Sequence, residues 1–488
     1  MIYGPKGYLF GQGAKAGLRI KEAPIVYRQR AGKSGLNPWK DGAKIAALGL
    51  AARPFSALFC SAPPLKIPDP PLAMTPSKTL PGRWSRFLGQ LMRLTVSALT
   101  PAYRVLNWLV PKSDRIVLLG GNGGRRFSDN SRYLFESLAS DPRFEPYWIT
   151  RSISVAKEVC VRFPGRGLYY LSPRALWIGL RARYLFISHS TTDIFPHGLT
   201  RAKKTIILLN HGIPMKTMGY AQKRKFDWTV GSAQVTMTNE WLEKEFSRIS
   251  LINACSEFER DLWIQCYRVA PENFWLLGMP RNDALFHPDT DLGKKYPLLK
   301  ANKIVLYAPT YRDGEPSVEL LPYNPDLVAL ERVLLEHDAL LLIRPHYISQ
   351  TYGPYPRLGD ASTSRILIAD SQVVADANAL LPYVDVLVTD YSSIYFDFML
   401  LDRPMIFAPY DLADYREQRG LLFDYNENTP GPKVLDGDAL IREIDVALAS
   451  HSHGREARQL MISRVHRWQD GKSCERIREH LLAERPIR

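Results

Sequence analysis

Four short clusters hold the side chains that could do chemistry. They are Asn210-His211-Gly212-Ile213-Pro214-Met215-Lys216, Tyr307-Ala308-Pro309-Thr310-Tyr311-Arg312, Arg344-Pro345-His346 and Thr389-Asp390-Tyr391-Ser392-Ser393. Imidazole, ammonium, guanidinium and hydroxyl groups in this mixture suit an anionic ligand. A neutral His211 can take a proton from an attacking hydroxyl near neutral pH. Lys216 can meet a phosphate as a point charge, and Arg312 and Arg344 can each fork onto two phosphate oxygens. Phosphoryl transfer needs such groups to neutralise charge on the equatorial and leaving oxygens. Asp390 and Asp397 can hold ribose hydroxyls or orient His346, or they can merely complement a helix N-terminus.

Each cluster follows an apolar run, at 205–209, 304–306, 340–343 and 386–388. In open α/β sheets, ligands bind beyond the carboxyl ends of the strands. Four loaded strand ends therefore predict one anionic ligand gripped from several sides. The last cluster says most. A strand at 386–388 exits at Thr389-Asp390, a helix should start at Ser392-Ser393, and another strand follows at 405–407. That geometry turns backbone N–H groups and a positive dipole end towards a phosphate.

The elements that position these groups form two alternating series. The first has strands at 116–119, 147–149, 168–171, 184–187 and 206–209, with a helix at 132–139. The second has strands beginning near Ile304, Leu341, Ile366, Val386 and Met405. Alternation of this kind predicts parallel sheets in an α/β fold of two Rossmann-like domains. The expected boundaries are 113–286 and 304–488, with a polar linker at 287–303 and charged helices after residue 436.

Three tempting motifs lead elsewhere. Gly120-Gly121-Asn122-Gly123-Gly124 lacks the spacing of a dinucleotide fingerprint and reads as a turn through which backbone approaches the acceptor, with Asn130 and Tyr133 just beyond it. Asp289-Thr290-Asp291 follows no strand and reads as a solvated turn. Ser188-His189-Ser190 lacks the glycines of a nucleophile elbow.

Taken together and in order, the motifs carry a resemblance. HGxPxK, YAPTYR, RPH and the stretch from Thr389 to Tyr425 look like the CDP-glycerol glycerophosphotransferases of teichoic acid and capsule synthesis. Ser128-Asp129-Asn130 with Tyr133, and Gly278-Met279-Pro280-Arg281-Asn282-Asp283, add to the match. The resemblance implies a GT-B architecture and transfer of a polyol phosphate from a CDP-activated donor to a polymer or lipid-linked primer. It implies His211, His346 and Arg312 as catalytic groups. Lys216, Arg344, Thr389, Asp390, Ser392, Ser393 and Asp397 would lie on the donor, and Asn130 and Tyr133 on the acceptor. No cofactor or metal ligand set is implied, and divalent-cation dependence stays open. A GT-B glycosyltransferase using a nucleotide sugar is the alternative.

Composition narrows the setting. The chain has 488 residues and a formal net charge of +15. Residues 1–112 carry 17 Lys and Arg against Glu22, Asp41 and Asp69, so nearly all of the excess lies there. A nucleic-acid enzyme would carry its basic patch within the folded body. Residues 1–82, rich in Gly, Pro, Ala and Lys, read as a disordered or non-native basic arm. Residues 83–112 place Trp84, Phe87, Leu91, Trp108 and Leu109 near basic residues, a pattern that suits an anionic membrane surface or a packed helix. No apolar stretch of about 20 uncharged residues occurs. Five scattered cysteines without zinc spacing predict reduced thiols. The expected place of work is the cytoplasmic face of the cell membrane, peripherally bound.

Overall fold

The computed structural model describes residues 100–196, 199, 203–222, 227–230, 233–236, 238–310, 321–345, 355–360 and 362–484. All belong to one compact unit, residues 60–488. The basic arm, the membrane segment up to Leu99, Arg312 and His346 lie outside the described residues.

Two parallel sheets dominate. The first is built from β1 (Ser113–Leu119), β2 (Glu145–Thr150), β3 (Gly167–Tyr169), β4 (Ala182–Ile187) and β5 (Thr205–Leu208). A separate antiparallel pair follows, β6 (Asp227–Val230) and β7 (Ala233–Thr236). Then β8 (Leu251–Asn253) and β9 (Phe274–Trp275) complete the first sheet in the order β3-β2-β1-β4-β5-β8-β9. The second sheet contains β10 (Lys303–Ala308), β11 (Ala339–Ile343), β12 (Ile366–Ile368), β13 (Val386–Thr389) and β14 (Met405–Phe407). Its order is β12-β11-β10-β13-β14.

The strands are short continuous apolar runs because helices cover both faces of each sheet. β11, with sequence ALLLI, is buried at every residue. On one face of the first sheet, α2 (Asp129–Ala139) and α3 (Ile153–Arg162) pack Leu134, Phe135, Leu138, Val155 and Val159 against Val117, Leu119 and Trp148. On the other face lie α1 (residues 100–109) and α4 (Pro173–Arg181), which contribute Tyr103, Ala175, Ile178 and Leu180. Gly179 permits this approach, since a Cβ there would lie 2.7 Å from the Tyr103 hydroxyl. The starts of α3 and α4 are fixed by Ser152 and Ser172, whose side chains accept backbone N–H groups. Each such cap contributes about 1 kcal/mol.

The register matters most for the site. Ile187 lies opposite Leu208, so the chain leaves β4 and β5 side by side. Ala308 lies opposite Thr389, so β10 and β13 do the same in the second sheet.

The two halves are joined by one core. Ile213, Met215, Cys255, Leu262 and Met279 pack with Leu387, Tyr391, Phe396 and Phe398. Lys216 and Leu421 form an antiparallel bridge, and Leu422 N–H donates to Met215 O at 2.8 Å. The last helix, Ser473–Ala483, returns to the first sheet, where Ile477 and Leu481 are buried beside α2. Its first N–H groups, at Ser473 and Cys474, donate to the Asp283 carboxylate.

In the stretch expected as linker, Asp289-Thr290-Asp291 begins a helix where a solvated turn was expected. The stretch contains two short helices, Thr290–Lys295 and Leu298–Ala301. Asp289 caps the first of them by accepting the Asp291 N–H at 3.0 Å, and Asp291 pairs with Lys294 at 2.9 Å. Among the described residues, no group of acids, histidines or cysteines could hold a metal ion, and no helix is long and apolar enough to cross a membrane.

Candidate functional site

The site grows from the turn after β5. Asn210 takes a left-handed φ of 58°, and Gly212 follows at 138°. A Cβ on Gly212 would come within 2.8 Å of Ser393 Oγ and 3.0 Å of Arg281 Nη2. Only glycine fits there, between a residue of the first sheet's half and a serine of the second. His211 sits on this turn at the seam of the halves.

Its partners define its state. Nδ1 lies 3.4 Å from the Ser188 carbonyl, which can only accept. Nδ1 therefore carries the hydrogen, and Nε2 keeps a lone pair that can take a proton. His189 leaves the neighbouring strand end and stacks on His211, with ring centroids 4.3 Å apart and planes within 4°. The Asn122 N–H points at His189 Nδ1 from 3.3 Å, so a neutral His189 carries its hydrogen on Nε2. The stacked rings thus present one Nε2 acceptor and one Nε2–H donor.

His211 is exposed as a residue. Desolvation of its ring by neighbouring protein, followed by the parallel His189 ring, pushes the imidazole down to about 4, with Arg281 acting the same way and Asp129 opposing. A lowered value keeps the unprotonated, base-competent form through the range where an ordinary histidine titrates, near 6.5. We expect the kcat/KM profile to stay flat through that range on the acid side. His189→Phe keeps the stack and removes the second charge, so it should move the acid limb upward. A wild-type break near the ordinary histidine value would contradict this placement.

Two buried groups hold the turns in place. The Asp193 carboxylate accepts the N–H groups of Ser188, His189 and Gly123 at 2.9, 2.8 and 2.8 Å. The glycine turn through which backbone was expected to approach the acceptor packs on this loop at Gly120 and Gly121, while Gly123 faces open space. A Cβ on Gly120 would lie 2.7 Å from Asp193 O, and one on Gly121 2.8 Å from Ser188 Oγ. Arg281 is the second group. Its Nη1 donates to His211 O at 2.7 Å and to Asp129 Oδ1 at 3.1 Å, and its Nη2 to Asp397 Oδ2 at 2.6 Å.

Several residues expected to touch ligand are employed otherwise. Asn130 is fully buried; it donates to Leu209 O and Asn210 O and accepts from Arg281 N–H, so it clamps the His211 turn. Tyr133 donates its hydroxyl to Asp376 Oδ2 at 2.8 Å, tying α2 to the second half. Asp397 is buried on Arg281, and burial pushes its carboxyl above the ordinary range despite that cation. Through Oδ2 it braces the seam.

Thr389 and Asp390 are likewise buried. Thr389 Oγ1 donates to Ala308 O, and Asp390 Oδ1 accepts from the N–H groups of Thr310 and Tyr391. Together they shape the strand exits. Arg344 spends Nη1 on the carbonyls of Ala369, Asp370 and Val374, anchoring the loop after β12, and burial lowers its guanidinium to about 10. Lys216 Nζ lies 5.8 Å from the centre of the Tyr415 ring. The helix expected to deliver a dipole, Ile394–Phe398, has five residues. What remains there for an anion is its first-turn N–H groups, beside the partly exposed Ser392 and Ser393.

The sequence reading missed His189, Asp193 and the role of Arg281. His189 and Asp193 had a usable signal, since Ser188 begins a strand exit adjacent to that of His211. The arrangement can deprotonate a hydroxyl at Nε2 of His211, with a hydrogen-bond donor on the ring stacked against it.

The family model described as CDP-glycerol:poly(glycerophosphate) glycerophosphotransferase matches residues 102–483. A teichoic acid glycerol-phosphate transferase of Staphylococcus aureus is 27% identical over 373 residues, covering 72% of this chain and 89% of that protein. A teichoic acid ribitol-phosphate primase of Bacillus spizizenii is 25% identical over 400 residues, covering 80% of this chain and 97% of its own length. A teichoic acid poly(glycerol phosphate) polymerase of Bacillus subtilis is 25% identical over 387 residues, but they make up only 49% of that longer protein. Among solved structures, the wall teichoic acid polymerase TagF superposes with a TM-score of 0.65 at 21% identity, covering 82% of this chain and 98% of that one. That likeness extends the parallel-sheet α/β fold to both halves.

Proposed function

The chain belongs to the CDP-glycerol:poly(glycerophosphate) glycerophosphotransferase family, and from that premise we propose the reaction and the groups that perform it. The enzyme transfers glycerol phosphate or ribitol phosphate from a CDP-activated donor to a hydroxyl of a teichoic-acid-type acceptor. The acceptor oxygen attacks the phosphorus that bears the polyol. The bond from that phosphorus to the bridging oxygen breaks, and CMP leaves with the electron pair. The acceptor proton passes to Nε2 of His211. His189 donates from its own Nε2–H and holds the acceptor hydroxyl or a phosphoryl oxygen in place.

The observation that carries this reading is the His211 ring, held by Ser188 O in the tautomer with a basic Nε2, on a turn that meets Ser393. The pyrophosphate rests on Ser392, Ser393 and the N–H groups that follow. Lys216, Arg312 and His346 supply positive charge to the leaving oxygens, and Arg344 holds the loop after β12. The two halves act as a GT-B pair, the first taking the acceptor and the second the donor.

The acceptor is a cell-surface polymer, of wall or capsule type, growing on a lipid carrier. The enzyme works peripherally on the cytoplasmic face of the membrane. Support comes from the positive balance of residues 1–112 and from Val105, Leu106, Trp108 and Leu109, all about half exposed or more on α1. CMP release from CDP-glycerol and CDP-ribitol, set beside UDP- and CMP-sugars, tests the donor class. Turnover is expected with a CDP-polyol; turnover with a nucleotide sugar alone would overturn the reading.

A further inference from the structure

A second polar cavity lies at the opposite end of the first sheet. It has a volume of about 610 Å³ and is lined by Trp108, Leu109, Lys112, Arg183, Lys203 and Lys204 with the intervening backbone. Lys112, Arg183 and Thr205 stand at the amino ends of β1, β4 and β5, whereas His189 and His211 follow the carboxyl ends of β4 and β5. One strand length, roughly 20 Å, separates the two places.

Four cations line this cavity, and among the described residues no acid does. Arg183 has Asp114 at 3.4 Å from its Nε, and its two terminal nitrogens are not part of that pair. Lys112 is satisfied by the carbonyls of Asn107, Val110 and Leu180, which fixes its ammonium at the cavity wall. Lys203 lies over the Trp108 ring at 4.6 Å. Lys204 is the anomaly. Its Nζ is shut off from solvent and has no hydrogen-bond partner among the described residues. A buried ammonium without a partner is unfavourable by several kcal/mol, so such a group either gives up its proton or takes an anion. Burial, then Lys112, lowers Lys204 to about 7, so an arriving anion would hold it fully charged.

The surroundings say where the anion comes from. Trp108 and Leu109 form one wall of the cavity and are 58% and 59% exposed, with Val105 and Leu106 exposed on the same helix. An exposed apolar helix face beside a basic pocket has the layout of an interfacial segment, with a headgroup next to buried acyl chain.

We propose that Lys203, Lys204 and Arg183, backed by the fixed charge of Lys112, form a phosphate-ester site that receives the headgroup of an anionic lipid, while Trp108 and Leu109 rest among its acyl chains. This deepens the membrane-surface reading above and is independent of the transfer chemistry. None of the four cations belongs to the His211 site.

Lys204→Met keeps the bulk and removes the ammonium, and Lys157→Met removes an exposed charge elsewhere on the same half. Partition of the full chain onto phosphatidylglycerol-containing vesicles should fall about fivefold in Lys204→Met, the factor that roughly 1 kcal/mol per basic residue corresponds to. Lys157→Met should change it far less. Inorganic phosphate and short-chain phosphatidylglycerol, compared at matched ionic strength, identify the source. Displacement from vesicles by either supports the site, phosphate alone sufficing in the first case and the whole lipid being needed in the second. The same probe should raise the melting temperature of the wild type and leave that of Lys204→Met unmoved. Equal losses in the two variants, or no loss in Lys204→Met, would overturn the proposal. Activity on a soluble acceptor should be unchanged in Lys204→Met, so failure of this site is distinguishable from failure of the catalytic reading.

Discussion

His211→Ala should lower turnover by about 10²–10⁴-fold, the range expected when general-base assistance is removed. The alanine variant loses the Nε2 lone pair and the ring that stacks on His189 at 4.3 Å. It keeps the fold, because the turn is held through backbone: Arg281 grips His211 O, and Asn130 grips the carbonyls of Leu209 and Asn210. Donor affinity should therefore stay close to wild type, since Ser392 and Ser393, the proposed pyrophosphate seat, lie on the other half and Lys216 is left in place. Steady-state turnover, with calorimetric titration of CDP or CMP, separates the two effects. A folded variant with near wild-type turnover would remove His211 from the reaction.

Arg281→Met should be the most destabilising single change near the site. It strands two carboxylates, Asp129 and the buried Asp397, and releases the carbonyl of His211. Breaking one side of a buried ion pair typically costs about 3–5 kcal/mol. Urea unfolding should show the loss as a lower midpoint. Replacing both sides of the seam pair, Arg281→Met with Asp397→Leu, should recover part of it, because no carboxylate is then left unpaired at that position. Turnover should stay low in the double variant, since the His211 backbone remains unclamped. A stability loss of under about 1 kcal/mol in Arg281→Met, typical of exposed pairs, would mean that the triad is a surface contact and not a brace.

The residues differ in how far the sequence exposed their work. The strand exits were readable because the second sheet's strands are uninterrupted apolar runs, as in 340–343 and 386–388, each followed by polar residues. The place of His211, on the turn after β5, was readable for the same reason. Arg281 was not. It lies in a short turn, and the carboxylates it joins are 152 and 116 residues away in sequence. Only the fold brings them together. The same limit explains Asn130, Thr389, Asp390 and Asp397. Their residue types suit ligand contact, but full burial decides that they serve backbone and ion-pair partners instead. His189 was judged against a hydrolase motif when its place, one strand over from His211, was the informative property. β8 and β9 escaped because three and two residues carry no period. The length of the helix after Ser393, five residues, was not readable, because a serine pair before apolar residues marks a start and says nothing of length.

The most direct test of the central claim is stoichiometric. CDP-glycerol or CDP-ribitol is supplied with a soluble polyol-phosphate acceptor, CMP is quantified, and the acceptor is weighed by mass spectrometry. One polyol phosphate gained per CMP released, with both gone in His211→Ala, is the expected result. CMP released without any gain in acceptor mass, or an acceptor that gains a sugar residue, would contradict it.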